Sequence, residues 1–162
     1  MILFNALLLN FQYFKPNQIV MRFEYYGVQT LKKKRPVSVL LKAVRQIINR
    51  FIEDYNPSIL VIETTFFYKS KNTSGLIVLA EEIKAVAKRK KLKIVEYAPK
   101  TVRKCICETG KATKRETAKV LCSRFPELQI YIIQDRLWKD KYWLNVFDAI
   151  AIGMTYFLKK GR

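Results

Sequence analysis

Histidine is absent from this sequence of 162 residues, and cysteine occurs only three times. Without histidine there can be no histidine general base, histidine metal ligand or Ser-His-Asp triad. Cys105, Cys107 and Cys122 are an odd number without secretory features, so free thiols are expected. Cys105-Ile-Cys107 does not have the spacing of a zinc site. Any metal site in this protein is therefore expected to use oxygen ligands.

Glycine and proline are also scarce, with five residues of each. This composition excludes collagen-like and low-complexity chains. Half of the residues are apolar and 13% are aromatic, which is enough to build a hydrophobic core. We therefore expect a single domain over residues 1–162.

Long apolar runs are missing as well. The apolar stretch from Met1 to Phe14 is interrupted by Asn and Gln, and it lacks the basic segment and the small-residue cleavage site of a signal peptide. This stretch and the one from Trp143 to Leu158 are too short to span a bilayer. The sequence therefore predicts a cytoplasmic protein with no membrane partner.

Acidic residues are outnumbered, with 13 Asp and Glu against 31 Lys and Arg, a net charge of +18 and a pI near 10.0. Self-repulsion on this scale destabilises a compact fold unless a polyanion neutralises it. Nucleic acid is the polyanion that such a charge favours. The alternative is a basic protein whose charge serves only solubility.

The order of predicted elements indicates an α/β protein with a mixed sheet. Segments 2–14 and 18–31, joined at Lys15-Pro-Asn17, predict a β-hairpin. Short buried strands are predicted at 58–62 and 92–95. The predicted helices cover 36–55, 74–90, 99–107, 113–125 and 142–159, and the irregular segment 126–141 includes a short strand at 130–133.

A carboxylate directly follows the first buried strand. Glu63 comes after four apolar residues, and ligand sites of α/β sheets lie at the carboxyl ends of parallel strands. A charge at this point costs several kcal/mol unless a partner pairs with it. The alternative is a strand that ends at Ile62 and leaves Glu63 exposed.

Asp148 is the only charged residue between Trp143 and Leu158. On a helix it shares one face with Asn145 and Thr155, while the other residues are almost all apolar. Such an aspartate is expected to bind a cation, either a lysine or arginine in a salt bridge or a divalent metal. Glu63 and Asp148 in a basic domain without histidine indicate metal-dependent phosphodiester chemistry.

Four sequence blocks carry a family resemblance and occur in family order. They are Ile62-Glu-Thr-Thr-Phe-Phe67, Glu96-Tyr-Ala-Pro-Lys-Thr-Val-Arg103, Gly110-Lys-Ala-Thr-Lys114 and Asn145-Val-Phe-Asp-Ala-Ile-Ala-Ile152. Together they resemble the RuvC family of Holliday-junction resolvases over roughly residues 5–158. The resemblance implies a ribonuclease H-like fold, which is a mixed sheet flanked by helices.

The resemblance also implies roles for individual residues. The family holds two Mg²⁺ ions, with Mn²⁺ as a substitute, through four acidic residues, and Glu63 and Asp148 match two of these. Arg103 and Lys114 match basic positions near the scissile phosphate, and Phe66 matches an aromatic that stacks near the junction crossover. Neighbouring lysines are further candidates for contacts with nucleic acid, namely Lys69, Lys71, Lys104 and Lys111.

Two departures from the family pattern stand out. Asn145 occupies the position of an acidic ligand, so it can ligate a metal but adds no charge. The family's first strand, which ends in Asp-Pro-Gly and lies between its second and fourth strands, has no counterpart, and its loss would leave unpaired backbone groups. Either Met1 is an internal methionine of a longer protein, which we favour, or residues 1–14 are that strand with Asn5 or Asn10 as a degenerate ligand. Asp135 and Asp140 are further acids near the last helix, without a spacing argument for their use.

We therefore expect a structure-selective endodeoxyribonuclease that resolves Holliday junctions and other branched DNA in recombination and repair. By resemblance it acts as a homodimer and has a branch-migration helicase as a partner. One alternative is a nucleic-acid-binding protein of this fold without catalytic activity. Another is a related ribonuclease H-like nuclease that acts on RNA or on transposon DNA.

Overall fold

The computed structural model describes residues 2–3, 6–9, 30–31, 35–64, 74–132 and 137–160, which form strands and helices in an α/β arrangement. The strands are β1 (Ile2–Leu3), β2 (Ala6–Leu9), β3 (Thr30–Leu31), β4 (Ile59–Glu63) and β5 (Lys93–Tyr97). The helices are α1 (Val37–Tyr55), α2 (Ser74–Arg89), α3 (Pro99–Cys107), α4 (Lys114–Arg124) and α5 (Leu137–Lys160), and a 3₁₀ helix covers Pro126–Tyr131.

Strand β4 is the centre of a three-stranded mixed sheet. It pairs in parallel with β5, in a register that places Glu63 beside Tyr97. On its other edge it pairs antiparallel with β2, so that Ala6 lies opposite Ile62. The predicted mixed sheet is confirmed. Its parallel pair ends at the edge of the sheet where Glu63 lies, which is where α/β sheets bind ligands.

Alternation along β4 divides the core into two layers, because successive side chains of a strand point to opposite faces. Leu60 and Ile62 pack with α1 and α2. Ile59 and Val61 pack with α3, α4 and α5. All four are at most 5% exposed, so β4 is covered on both faces, as its continuous apolar run predicts.

Helix α1 forms where the apolar stripe predicts it. Its buried residues recur every four positions, at Leu40, Val44, Ile48 and Ile52. The helix ends at Asn56, whose φ of 41° is the left-handed conformation that asparagine tolerates at a helix terminus. Val37, the first residue of the helix, is 46% exposed.

The segment before α5 differs from the prediction. A strand was expected at 130–133, but residues 126–131 form a 3₁₀ helix that begins at a proline. Ile130 and Ile132 are 58% and 38% exposed, so the apolar run there does not enter the core. Helix α5 begins at Leu137 rather than near 142. Within the part of the chain that the structure describes, no helix has both the length and the apolar character needed to cross a membrane.

The amino-terminal strands test the predicted hairpin in part. Strands β1 and β3 pair antiparallel, with Ile2 opposite Leu31, and the paired residues lie at nearly equal distances along the chain from the predicted turn at residues 15–17. The turn itself lies outside the described residues, as do Asn5 and Asn10. Strand β4 has a partner on each edge, so the expected unpaired backbone groups are not found there.

Candidate active site

Helices α4 and α5 bring together three of the predicted site residues. The Lys114 ammonium donates to the Asp148 carboxylate and, at 3.5 Å, to the side-chain oxygen of Asn145. These residues are 31 and 34 positions from Lys114 in the chain. Of the two kinds of cation partner considered for Asp148, the structure shows a salt bridge, and its lysine is one that the family resemblance places near the scissile phosphate.

The apolar character of α5 explains why Asp148 requires a charged partner. Phe147 and Ala149, the neighbours of Asp148, are each 1% exposed in the core between α5, α3 and α4. The side chain of Asp148 is 19% exposed, whereas that of Lys114 is 46% exposed. A carboxylate in this half-buried position requires a positive partner to offset its desolvation.

Lys114 is held by the start of α4. It is the first residue of that helix, directly after the N-cap residue Thr113. The Thr113 side chain accepts from the Glu116 backbone N–H at 3.2 Å, and the Glu116 carboxylate accepts from the Thr113 N–H at 2.6 Å. The hydrogen bond from the Thr113 backbone N–H to the ionised carboxylate, with a smaller contribution from the Thr113 side chain, lowers the pKa of Glu116 below its usual value. The capping box therefore fixes the backbone that carries Lys114.

Glu63 belongs to β4 instead of following it. The Thr64 N–H donates to the Tyr97 carbonyl at 2.9 Å, which continues the parallel pairing past Glu63. Glu63 is half-buried, so the alternative of an exposed residue beyond the strand is wrong. By strand alternation it lies on the same face as Ile59 and Val61, which is the face that α5 covers. Glu63 and Asp148 therefore lie on the same side of the sheet.

Thr155 is not part of the candidate site. It lies on the same helix face as Asp148 by spacing, but it is fully buried and its hydroxyl donates to the Ala151 carbonyl at 2.8 Å. The helix itself therefore satisfies this side chain. The other three predicted polar residues, Glu63, Asn145 and Asp148, remain as the candidate site.

The basic candidates are only partly placed. Arg103 is half-buried on α3, and Lys104 and Lys111 are exposed. A Cβ on Gly110 would lie 2.7 Å from Lys100 Cγ, so a larger residue in the loop before α4 would force the Lys100 side chain of α3 to shift. The candidates outside the described part of the chain are Phe66, Lys69, Lys71, Asp135 and the side chain of Asp140.

The donor atoms are those that Mg²⁺ or Mn²⁺ prefers. Glu63 and Asp148 provide carboxylates and Asn145 an amide oxygen, and one magnesium ion is commonly held by one or two carboxylates with water and substrate phosphates. Among the described residues, no group of three or more Asp, Glu, His or Cys side chains is gathered. The donor types of these residues therefore suit a divalent ion, and the described residues alone do not supply the four acidic ligands that the resemblance implies for two ions.

Tyr97 and Lys159 were not among the site residues predicted from the sequence. Tyr97 lies beside Glu63 in the register, and the Lys159 ammonium is 5.2 Å from the centroid of its ring. Burial, with a smaller contribution from Tyr156 and Cys105, raises the pKa of Tyr97. The signal was present in the alternation of Val95 and Tyr97, which places both on the Glu63 face.

Comparisons with known proteins identify the family. Residues 17–156 match the family model described as crossover junction endodeoxyribonuclease RuvC. The protein of that name from Prochlorococcus marinus is 30% identical over 134 residues, which are 83% of this chain and 78% of the relative. The one from Cytophaga hutchinsonii is 26% identical over 137 residues, which are 84% of this chain and 64% of the relative.

Two solved structures share the fold. Thermus thermophilus RuvC superposes with a TM-score of 0.64 at 16% identity, over 83% of this chain and 75% of the other. The same protein in complex with a Holliday junction substrate gives 0.62 at 14% identity, with the same coverage. The predicted ribonuclease H-like α/β fold is confirmed. This chain belongs to the RuvC family of crossover junction endodeoxyribonucleases.

Proposed function

We propose that this protein hydrolyses phosphodiester bonds at four-way DNA junctions, with Mg²⁺ as the cofactor and Mn²⁺ as a substitute. One observation carries the proposal. Lys114 contacts Asn145 and Asp148 from a distant part of the chain, and their helix α5 packs on the face of the sheet that, by strand alternation, also carries Glu63 at the carboxyl end of β4. Family membership supplies the reaction class that this constellation serves.

Glu63, Asp148 and Asn145 are the residues that would hold the metal. When bound, a magnesium ion polarises the phosphate and makes a water molecule a better nucleophile. The protein supplies the ligands from rigid elements, because Glu63 is in a strand paired on both sides and Asp148 is in a helix packed over the core. Such fixed placement lowers the cost of reaching the transition state.

The basic residues bind the phosphate backbone. Lys114 contacts the site directly, and we assign Arg103, Lys104 and Lys111 to neighbouring phosphates of the junction. With a net charge of +18, binding releases counterions, so affinity falls steeply as salt concentration rises. These contacts position the DNA without reading its sequence.

We further propose that the protein acts as a homodimer. A four-way junction presents two strands for symmetric cleavage, and a two-fold dimer matches that symmetry. The relative from Thermus thermophilus has been solved in complex with a Holliday junction substrate, which supports the same class of DNA for this chain. A branch-migration helicase remains the proposed protein partner, and the cytoplasm remains the proposed location.

A second candidate is junction binding without cleavage. It is favoured by Asn145, which replaces an acidic ligand, and by the lack of a cluster of three acidic side chains among the described residues. This candidate predicts tight, salt-dependent binding that does not change when magnesium is removed or when Glu63 is replaced.

A cleavage assay separates the two candidates. Labelled four-way DNA junction, linear DNA duplex and RNA duplex are incubated with the protein, with and without Mg²⁺ or Mn²⁺. We expect paired nicks in the junction only when metal is present, and their loss with Glu63→Gln. Glu63→Gln should still bind the junction, because the amide preserves shape and removes only the ligand charge.

Three results would contradict the proposal. Junction binding without nicks at any metal concentration would support the binding protein instead. Preferential cleavage of the RNA duplex would indicate a different ribonuclease H-like nuclease. Undiminished cleavage by Glu63→Gln would mean that the candidate site is not the active site.

A further inference from the structure

The site residues on α4 and α5 are balanced in charge without a metal. Lys114 contributes one positive charge, Asp148 one negative charge and Asn145 none, and all three are in contact. An acid at position 145 would leave this group negative even with the lysine in place. With asparagine there, the charges of Lys114 and Asp148 offset each other.

The ammonium contacts the same oxygens that a divalent cation would use. Lys114 binds Asp148 Oδ2 and lies 3.5 Å from Asn145 Oδ1. A divalent ion on Asp148 would lie within a few ångströms of this ammonium, where two positive charges repel strongly because the site is half-buried. The lysine ammonium and a metal ion therefore weaken each other's binding to Asp148.

The Lys114 side chain can move away from Asp148 without a movement of its helix. Its backbone is fixed by the capping box of Thr113 and Glu116. Its side chain is 46% exposed and carries the ammonium on a flexible four-carbon stem. The charge can therefore move from Asp148 toward solvent while α4 stays in place.

From these contacts we propose that Lys114 occupies a cation position in the DNA-free protein and competes with the divalent metal for Asp148 and Asn145. This inference rests on the proposed function. A DNA phosphate gives the ammonium another anionic partner, so DNA binding frees Asp148 and strengthens metal binding. By linkage, metal binding strengthens the grip on DNA by the same factor. The protein therefore binds its metal ion more tightly when the junction is bound.

Binding of Mn²⁺ to the full chain, followed by electron paramagnetic resonance, tests the competition without any cleavage. Lys114→Met keeps the stem and removes the charge. We expect its affinity for Mn²⁺ in the absence of DNA to rise at least about tenfold over wild type, because a repelling charge is removed from the site. Lys119→Met is the matched control, since Lys119 is an exposed lysine of the same helix, and its affinity should stay within about twofold of wild type.

Lys114→Arg adds a second control that keeps the charge. Arginine holds a carboxylate at least as firmly as lysine does, so its Mn²⁺ affinity should not exceed that of wild type. Addition of uncut junction should strengthen Mn²⁺ binding in wild type and have a much smaller effect in Lys114→Met. Thermal unfolding of each variant verifies that it is folded.

The competition is overturned if Lys114→Met binds Mn²⁺ no more tightly than wild type, or if Lys119→Met gains as much. Failure here differs from failure of the proposed function. Junction cleavage by wild type together with an unchanged Mn²⁺ affinity in Lys114→Met would reject the competition alone. A tenfold gain in affinity in a protein that never cuts the junction would reject the nuclease and retain the competition.

Discussion

The two faces of the three-stranded sheet use the same strand for different purposes. Toward α1 and α2, β4 presents Leu60 and Ile62, and that layer is apolar. Toward α3, α4 and α5 it presents Ile59 and Val61 and then Glu63, where apolar packing gives way to a carboxylate. One face therefore stabilises the fold, and the other continues from core into site within a single strand.

Charged residues differ between the two faces in the same way. On the α1 and α2 side, acids and bases pair across the surface, as in Arg45–Glu82 at 2.6 Å and Lys84–Glu96 at 3.2 Å. On the other side, Lys114 pairs with Asp148 over an apolar helix that offers that carboxylate little water. The Glu82 side chain is 14% exposed and that of Asp148 is 19% exposed, so burial does not distinguish the two pairs. Sequence context does, because Asp148 is the only charged residue between Trp143 and Leu158, whereas Glu82 lies among other charged residues of α2.

Leu60→Ala should have the largest effect on stability. Leu60 is fully buried on the α1 and α2 face, so truncation leaves a cavity and costs about 2–5 kcal/mol in the free energy of unfolding. Urea denaturation measures this loss. Because Leu60 faces away from Glu63, junction cleavage per folded molecule should stay within about threefold of wild type. Loss of cleavage in the folded variant would show that the faces are not separable.

Thr113→Ala should have an intermediate effect. It removes the side-chain cap of α4 and should cost about 1 kcal/mol in thermal unfolding. Ser123→Ala, at an exposed position near the end of the same helix, is the control and should change stability by much less. Equal losses in the two variants would mean that the cap does not hold α4.

The capping box also predicts a pH dependence. Folding lowers the pKa of Glu116 from its usual value of 4.5, through hydrogen bonds with Thr113. Its stabilisation is therefore complete above pH 4.5 and is lost as pH falls through the lower pKa of the folded state. In Glu116→Gln this part of the acid destabilisation should disappear in urea denaturation between about pH 5 and pH 3. An unchanged pH profile would contradict the assignment.

Glu82→Gln should have the smallest effect. Glu82 binds Arg45 and Arg89 on the α1 and α2 side, and its pKa is lowered mainly by the hydrogen bond with Arg45. Loss of these surface contacts should lower stability by at most about 1 kcal/mol, and by less at high salt. Thermal unfolding at two salt concentrations measures both effects. A larger loss that persists in high salt would mean that this face also holds a buried ion pair.

Much of the fold was predictable because local signals and packing agree. The four-residue spacing in α1, the continuous apolar run of β4 and Pro99 at the start of α3 each predicted an element to within a residue or two. The predicted start of α5 near residue 142 was wrong, and so was the predicted strand at 130–133, where a 3₁₀ helix forms instead. Ile130 and Ile132 resemble a strand in sequence but are exposed in the structure. Periodicity alone does not reveal which apolar run finds a partner.

The site was predicted in residue type more than in geometry. The sequence showed an aspartate isolated in an apolar helix and a glutamate at the end of a strand, and both predicted that a positively charged partner lies nearby. Only the structure shows that the partner of Asp148 is Lys114, because a tertiary contact between α4 and α5 brings the two residues together. The strand register shows that Tyr97 lies beside Glu63, and the capping hydrogen bonds show that Thr113 holds the start of α4.

Cleavage by two matched glutamate variants tests the central claim most directly. Glu63→Gln and Glu96→Gln make the same change on adjacent strands, but Glu96 points to the opposite face, where it pairs with Lys84. In single-turnover assays on a four-way junction with Mg²⁺, Glu63→Gln should lose about a thousandfold in rate or more, and Glu96→Gln should stay near wild type. Equal rates for the two variants would contradict the placement of the active site on the α3 to α5 face of the sheet.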